Sequence, residues 1–403
     1  SMAARLVSAG AAFLLATAAL SNSGCHRSFL DDVPDGGPLE PVDSGPETDG
    51  GPPPCCTNWQ FDKRATVEGF GAAATVTPRL INLGDTPAVV VTGFSDPLGP
   101  SGAHLVRFSL DLTTQDAPVP VTSGSFTWGQ PAGGGDRLAV CWGGESGNVA
   151  KLYDSVGGAL SPTVTLDAVV QSPCIDSAFS DAAGPGSRWA FAYVQASEIL
   201  RVRILDDTTL LSIASVDVPV DTDTPSASLV ATNDGFALAI AGRETRLLVL
   251  DRDGVLRAET RAPISRFVQL VRGRDSLQLL RVVDEAASPG YRREVWYLDA
   301  FDPATLDTTG EPLRLGGFEP PPSPTFDATA EMCGAPVLAS STPTFDTVDP
   351  LYGLLLRYPD IPSSSPVVGD TSVLVIHRHA YVAFASGSPN PQVQIDHWQC
   401  LSP

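Results

Sequence analysis

The 403-residue chain carries 46 acidic residues against 25 Lys and Arg, a formal net charge of −21, which excludes a nucleic-acid partner held by phosphate neutralisation. Gly and Pro number 37 and 36. That is too much punctuation for a bundle of long helices and suits short strands joined by turns.

The chain opens with one positive charge, Arg5, ahead of an apolar run from Leu6 to Leu20. The run is too short for a membrane span and fits the core of an export signal. Small residues 21–24 then lead to Cys25. This pattern resembles the lipobox of bacterial lipoproteins, with Asn22 standing where that family usually has Leu. The resemblance implies that Cys25 is lipidated and that residues 1–25 are a signal peptide. Residues 26–54 hold seven acids, seven Pro and five Gly with almost no apolar content. Such a stretch cannot offset its ordering entropy, so a disordered acidic stalk is expected there. The folded domain is expected to be 55–403.

Six further cysteines fall in that domain: Cys55, Cys56, Cys141, Cys174, Cys333 and Cys400. An even number agrees with an oxidising compartment and disulfides. Two pairings are favoured: Cys141 with Cys174, and one of the adjacent Cys55 and Cys56 with Cys400, tying the ends of the domain together.

From Cys55 onward a strand-rich phrase recurs. Each unit has an opening strand, a small or apolar strand, and an alternating strand ending in Asp and a turn. The clearest copy runs through SASLVATND, GFALAIAGR, TRLLVLDRDG and VLRAET. The marker residues are Asp111, Asp154, Asp206, Asp251, Asp302, Asp360 and Asp396, about 47 residues apart on average. Each Asp is expected to accept backbone N–H bonds in its turn. A period of 40–50 residues with several strands per unit predicts an all-β fold, a single β-propeller of about seven four-stranded blades. The final unit lacks a strand, and Thr57–Glu68 would supply it, closing the ring. A row of β-sandwich modules is the structural alternative.

Common catalytic signatures are missing: the sequence has no GxSxG, HExxH, P-loop or GxGxxG. His377 and His379 are two apart on an expected strand, so they would share a face. With His397 they form a candidate metal site, set against the plainer reading of a solvated face or a hydrogen-bonded core position; no cofactor is expected. Arg292, Arg293 and Trp296 are candidate ligand-binding residues beside an insertion, 285–293, one of three with 95–103 and 340–350. The other tryptophans are expected to fill space between blades.

Taken whole, the chain resembles myxobacterial-type cell-surface lipoproteins with a Cys, an acidic Pro/Gly stalk and propeller-like repeats. That resemblance implies the cell envelope: an outer-membrane or surface lipoprotein, with a secreted or periplasmic protein as alternative. Two functions stay open. One is a monomeric binding platform for a protein or glycan, touching membrane only through its lipid. The other is a propeller enzyme, a glycan or ester hydrolase or lyase with or without a metal.

Overall fold

A computed structural model describes residues 58–69, 75–94, 102–122, 127–144, 147–168, 170, 172–181, 186–196, 198–221, 226–273, 276–288, 291–318, 326–332, 335–340, 354–357, 372–386 and 392–402. The expected signal peptide, stalk, Cys25, Cys55, Cys56, Cys333 and Asp360 lie outside them.

The first strand, β1 (Asn58–Thr66), stands apart in sequence from the sheet it joins. Four-stranded sheets then follow one another along the chain. The first holds β2 (Thr75–Leu83), β3 (Thr86–Phe94), β4 (Gly102–Arg107) and β5 (Val119–Pro120). The second holds β6 (Thr127–Gly134), β7 (Arg137–Gly144), β8 (Gly147–Asp154) and β9 (Val164–Asp167). β10 (Asp176–Ser180), β11 (Arg188–Ala196), β12 (Ile199–Asp206) and β13 (Ser212–Pro219) form the third. β14 (Ala227–Ala231), β15 (Gly235–Ile240), β16 (Thr245–Asp251) and β17 (Leu256–Ala262) form the fourth. The fifth is β18 (Phe267–Arg272), β19 (Leu277–Ser288), β20 (Tyr291–Phe301) and β21 (Leu313–Phe318).

A three-stranded sheet comes next, with β22 (Phe326–Met332), β23 (Ala335–Ser340) and β24 (Leu354–Arg357). Here β24 runs parallel to β23. Last come β25 (Ser372–Ile376), β26 (His379–Ser386) and β27 (Gln392–Ser402), with β1 antiparallel to β27 as fourth strand.

The fold is a single β-propeller. Among the described residues, the expected count of about seven four-stranded blades is corrected to six. The β22–β24 sheet departs from the pattern because its third strand pairs in the parallel sense, so no tight hairpin can connect it to β23. β-Sandwich modules do not describe the chain: the opening strand of each sheet packs beside that of the next, as β6, β10, β14 and β18 do in turn.

Burial within a blade follows the sequence. Strand β15, GFALAI, is buried at every residue because its sheet is covered on both faces. Strand β13 at the blade's outer edge is mostly exposed or part-buried, with Val218 turned into the core. The core lies between blades: Ala190, Val202 and Ile204 of one sheet meet Leu229, Phe236 and Leu250 of the next. Trp142 and Trp189 are buried at 5% and 0% exposure, the space-filling role expected of them, and Trp296 is buried as well.

The marker aspartates behave as turn residues at five positions. Asp251 accepts from the amides of Asp253 and Val255, and Asp206 from those of Thr208 and Thr209. Asp111, Asp154 and Asp302 do the same in their own turns. Hydrogen bonds from the Ser109 and Thr113 hydroxyls, then the Thr113 amide, hold the Asp111 pKa down to about 2; at Asp206 burial pushes up, but the hydroxyls and amides of Thr209 and Thr208 outweigh it and hold the pKa down to about 2. Asp396 is the exception and corrects the expectation: it lies inside β27, fully buried, paired with Arg64 of β1.

Cys141 and Cys174 form a disulfide, Cα atoms 6.0 Å apart, joining β7 to the segment that enters β10. Cys400 is also disulfide-bonded, to a partner outside the described residues.

Candidate functional site

Two constellations stand out, one on the innermost strands and one on the sheet that contains both β1 and β27.

On the innermost strands, side chains of one blade bind the backbone of the next. Leu80 of β2 donates its amide to Ser372 Oγ of β25 at 2.9 Å. Leu229 of β14 donates to Asp176 Oδ2 of β10 at 2.6 Å, and Leu270 of β18 donates to Ser228 Oγ at 3.0 Å. The pattern fixes a level. Arg79 precedes Leu80 as Ser228 precedes Leu229 and Gln269 precedes Leu270; Gln130 precedes Pro131, whose carbonyl accepts from Ser177 Oγ. Polar side chains from six described strands therefore sit at one height: Arg79, Gln130, Asp176, Ser228, Gln269 and Ser372. Burial pushes the Asp176 carboxyl up to about 6, against the opposing pull of the Leu229 and Ser177 amides and the Arg79 charge. Arg79, Asp176 and Gln269 remain partly exposed.

The second constellation is a chain of three side chains on adjacent strands. His397 Nδ1 lies 2.9 Å from Asp62 Oδ2, and His397 Nε2 lies 2.8 Å from His379 Nδ1. Asp62 reaches His397 from a bulge in β1, where the register shifts between Phe61 and Lys63. Tyr381, directly opposite His397, is fully buried and donates its hydroxyl to Leu110 O at 2.5 Å. The His379 and His397 ring planes are 15° apart with centroids at 5.0 Å. Burial lowers both imidazole pKa values; the Asp62 and Asp111 charges oppose it, and His397 and His377 add to it at His379. Both rings are thus neutral near pH 7.

These positions revise the expected metal site. His377 is not on a strand: it occupies the turn between β25 and β26 with φ +51°, and its Nε2 points toward Asp85 at 3.9 Å. The structure brings His379 and His397 together and leaves His377 apart. Among the described residues, no group of three or more His, Cys, Asp or Glu side chains is placed to hold a metal ion. The expected ligand-binding insertion at 285–293 is instead an extension of the β19–β20 hairpin, with Arg292 paired to Ala286 and Arg293 to Glu285 in register. Trp296 is buried beside Phe267, ring centroids 5.8 Å apart, so it packs rather than presenting a face to a ligand. Residues 95–101 and 341–350 lie outside the described set.

Asp62 and the inner-strand groups were missed by sequence reading. The tripeptide Phe61-Asp62-Lys63 has no signal of a bulge, and Asp176 follows Cys174 by two residues in an otherwise ordinary strand start. The repeat itself held the clue for Asp176: aligned copies put Arg79, Asp176, Ser228 and Gln269 at one place in the first strand.

A cavity of about 620 Å³ opens among the turns of the fourth and fifth sheets, lined by Asn233, Asp234, Arg252, Asp253 and Arg257. Arg252 is held there by the carbonyls of Asp181 and Asn233.

No protein-family model matches the chain, and no curated protein matches it. Solved structures do. A subtype N11 neuraminidase-like protein of A/flat-faced bat/Peru/033/2010 (H18N11) aligns at 9% identity and TM-score 0.42, over 86% of this chain and 94% of that one. A Trypanosoma rangeli sialidase mutant displaying trans-sialidase activity aligns at 10% identity and TM-score 0.41, over 85% of this chain and 59% of that one. The β-propeller domain of the Trilobed protease from Pyrococcus furiosus aligns at 12% identity and TM-score 0.39, over 66% and 84%. At these values the likenesses carry nothing about chemistry.

Proposed function

We propose that this β-propeller is a binding platform for a glycan or protein at the cell envelope, exported, lipid-anchored through Cys25 and monomeric, with β1 closing its ring. The observation that supports the reading is the level of polar side chains on the innermost strands. Ligand sites place a few polar groups from several elements within reach of one molecule. Here Arg79 offers donors, Asp176 an acceptor and Gln269 both, each on a strand fixed by its neighbour. That mixture suits the hydroxyls of a sugar better than an apolar ligand. The Cys141–Cys174 disulfide agrees with an oxidising compartment.

The test is calorimetric titration of the purified chain with a panel of envelope polysaccharides. At least one should bind, and Arg79→Ala or Asp176→Asn should weaken it roughly tenfold or more, as expected for loss of a charged hydrogen bond. Arg257→Ala, at the outer cavity, should leave it unchanged. Binding that ignores Arg79 and Asp176 would place the ligand elsewhere and overturn the inner-strand site.

A further inference from the structure

The Asp62–His397–His379 chain has the arrangement of a nucleophile, a base and an orienting carboxylate, each within hydrogen-bond reach of the next. Its tautomers follow from the partners. The Asp62 carboxylate only accepts, so His397 carries its proton on Nδ1 and presents a lone pair at Nε2. That lone pair accepts from His379, whose proton is therefore on Nδ1. The remaining lone pair of His379 sits on Nε2, which makes no hydrogen bond among the described residues. His397 is 1% exposed, whereas His379 is partly exposed and reachable.

We propose that His379 Nε2 is a nucleophile for acyl transfer from small, uncharged or cationic esters, with His397 and Asp62 as positioning residues. This activity goes beyond a binding platform and depends on neither the inner-strand site nor its ligand. Nε2 attacks the ester carbonyl carbon, and the π pair moves onto oxygen. The tetrahedral intermediate collapses with cleavage of the bond from carbon to the leaving oxygen. The Nδ1 proton of His379 passes to His397 Nε2, and the resulting imidazolium is stabilised by Asp62. The leaving oxygen takes a proton from solvent, His397 returns one, and the products are an alcohol and an N-acyl-imidazole on His379. Water then adds to the acyl carbon, the C–Nε2 bond breaks, a carboxylic acid leaves and Nδ1 regains its proton. Substrate charge is set by the surroundings: Asp62 and Asp111 act on both rings, with Lys63 the nearby cation, in a chain of net charge −21.

The probe is p-nitrophenyl acetate, read by release of p-nitrophenolate and by mass-spectrometric mapping of the acetyl group on the full chain. Acetylation should map to His379, at least tenfold faster than for N-acetylhistidine at the same pH. His379→Gln should abolish it. Asp62→Asn and His397→Gln should each slow it about tenfold with the melting temperature read alongside. ¹⁵N NMR of the unmodified chain should show His379 as the Nδ1–H tautomer, which needs no variant to fold. Acetylation no faster than that of N-acetylhistidine, mapping to another residue, or an Nε2–H tautomer at His379 would overturn the proposal.

Discussion

The fourth sheet, β14–β17, and the sheet that joins β1 to β25–β27 share a topology and differ in what fills them. The fourth sheet is aliphatic: Leu238, Leu247, Leu248 and Leu250 are buried with no charged group in their core. Its Arg246–Glu259 pair lies at the surface, 25% and 31% exposed. The joining sheet buries Asp396 completely, along with His397 and Tyr381, and pairs Asp396 with Arg64 at 2.5 and 2.8 Å. Apolar burial is non-directional, so it holds a blade together without choosing a partner. A buried ion pair and an oriented imidazole chain demand one register. The sheet made from residues more than 300 apart in sequence carries both, while the fifth sheet buries an ion pair alone, Arg281 with Asp299 across β19 and β20.

The sharpest way to break this contrast is to remove one arginine from each sheet. Arg64→Ala leaves Asp396 buried without its partner, and the cost should be about 3 kcal/mol. Arg246→Ala removes a surface pair and should cost less than about 1 kcal/mol. Urea denaturation of both variants checks the difference. Equal losses would mean that the joining sheet gains nothing from its buried pair.

A smaller effect should appear with pH. Both histidines of the joining sheet have folded-state pKa values lowered from 6.5, chiefly by burial. Above 6.5 they are neutral folded or unfolded and exert no pull. As pH falls below 6.5 the unfolded chain takes up protons first, so stability present above that value is lost down to the folded pKa values. Asp176 works the other way, since a carboxyl raised to about 6 favours the folded state as pH falls. The histidine contribution is therefore read by comparing wild type with His397→Gln: the fall in unfolding midpoint below pH 6.5 should be shallower in the variant. An identical slope would remove the imidazoles from the account.

The same contrast explains what sequence could show. The repeat, the all-β class and five Asp turns were legible because each is written locally, in an alternating strand followed by Asp and small residues. The Cys141–Cys174 bond was legible because its partners are neighbours in consecutive repeats. Asp396 reads locally as another turn marker because its partner Arg64 is 332 residues away. His377 reads as a strand residue because IHRHAY alternates as a strand does, yet its central residues form a tight turn. The parallel pairing of β24 has no local signature, and so the count of four-stranded blades was one too high.

Strand β1 is an integral strand of the last sheet, held in register against β27. Amide hydrogen exchange measures this most directly. If it is, the amides of β1 that bond β27 exchange as slowly as those of β16 in the fourth sheet, within about tenfold. Exchange of β1 at the rate of an unstructured peptide, with β27 protected alone, would contradict the claim.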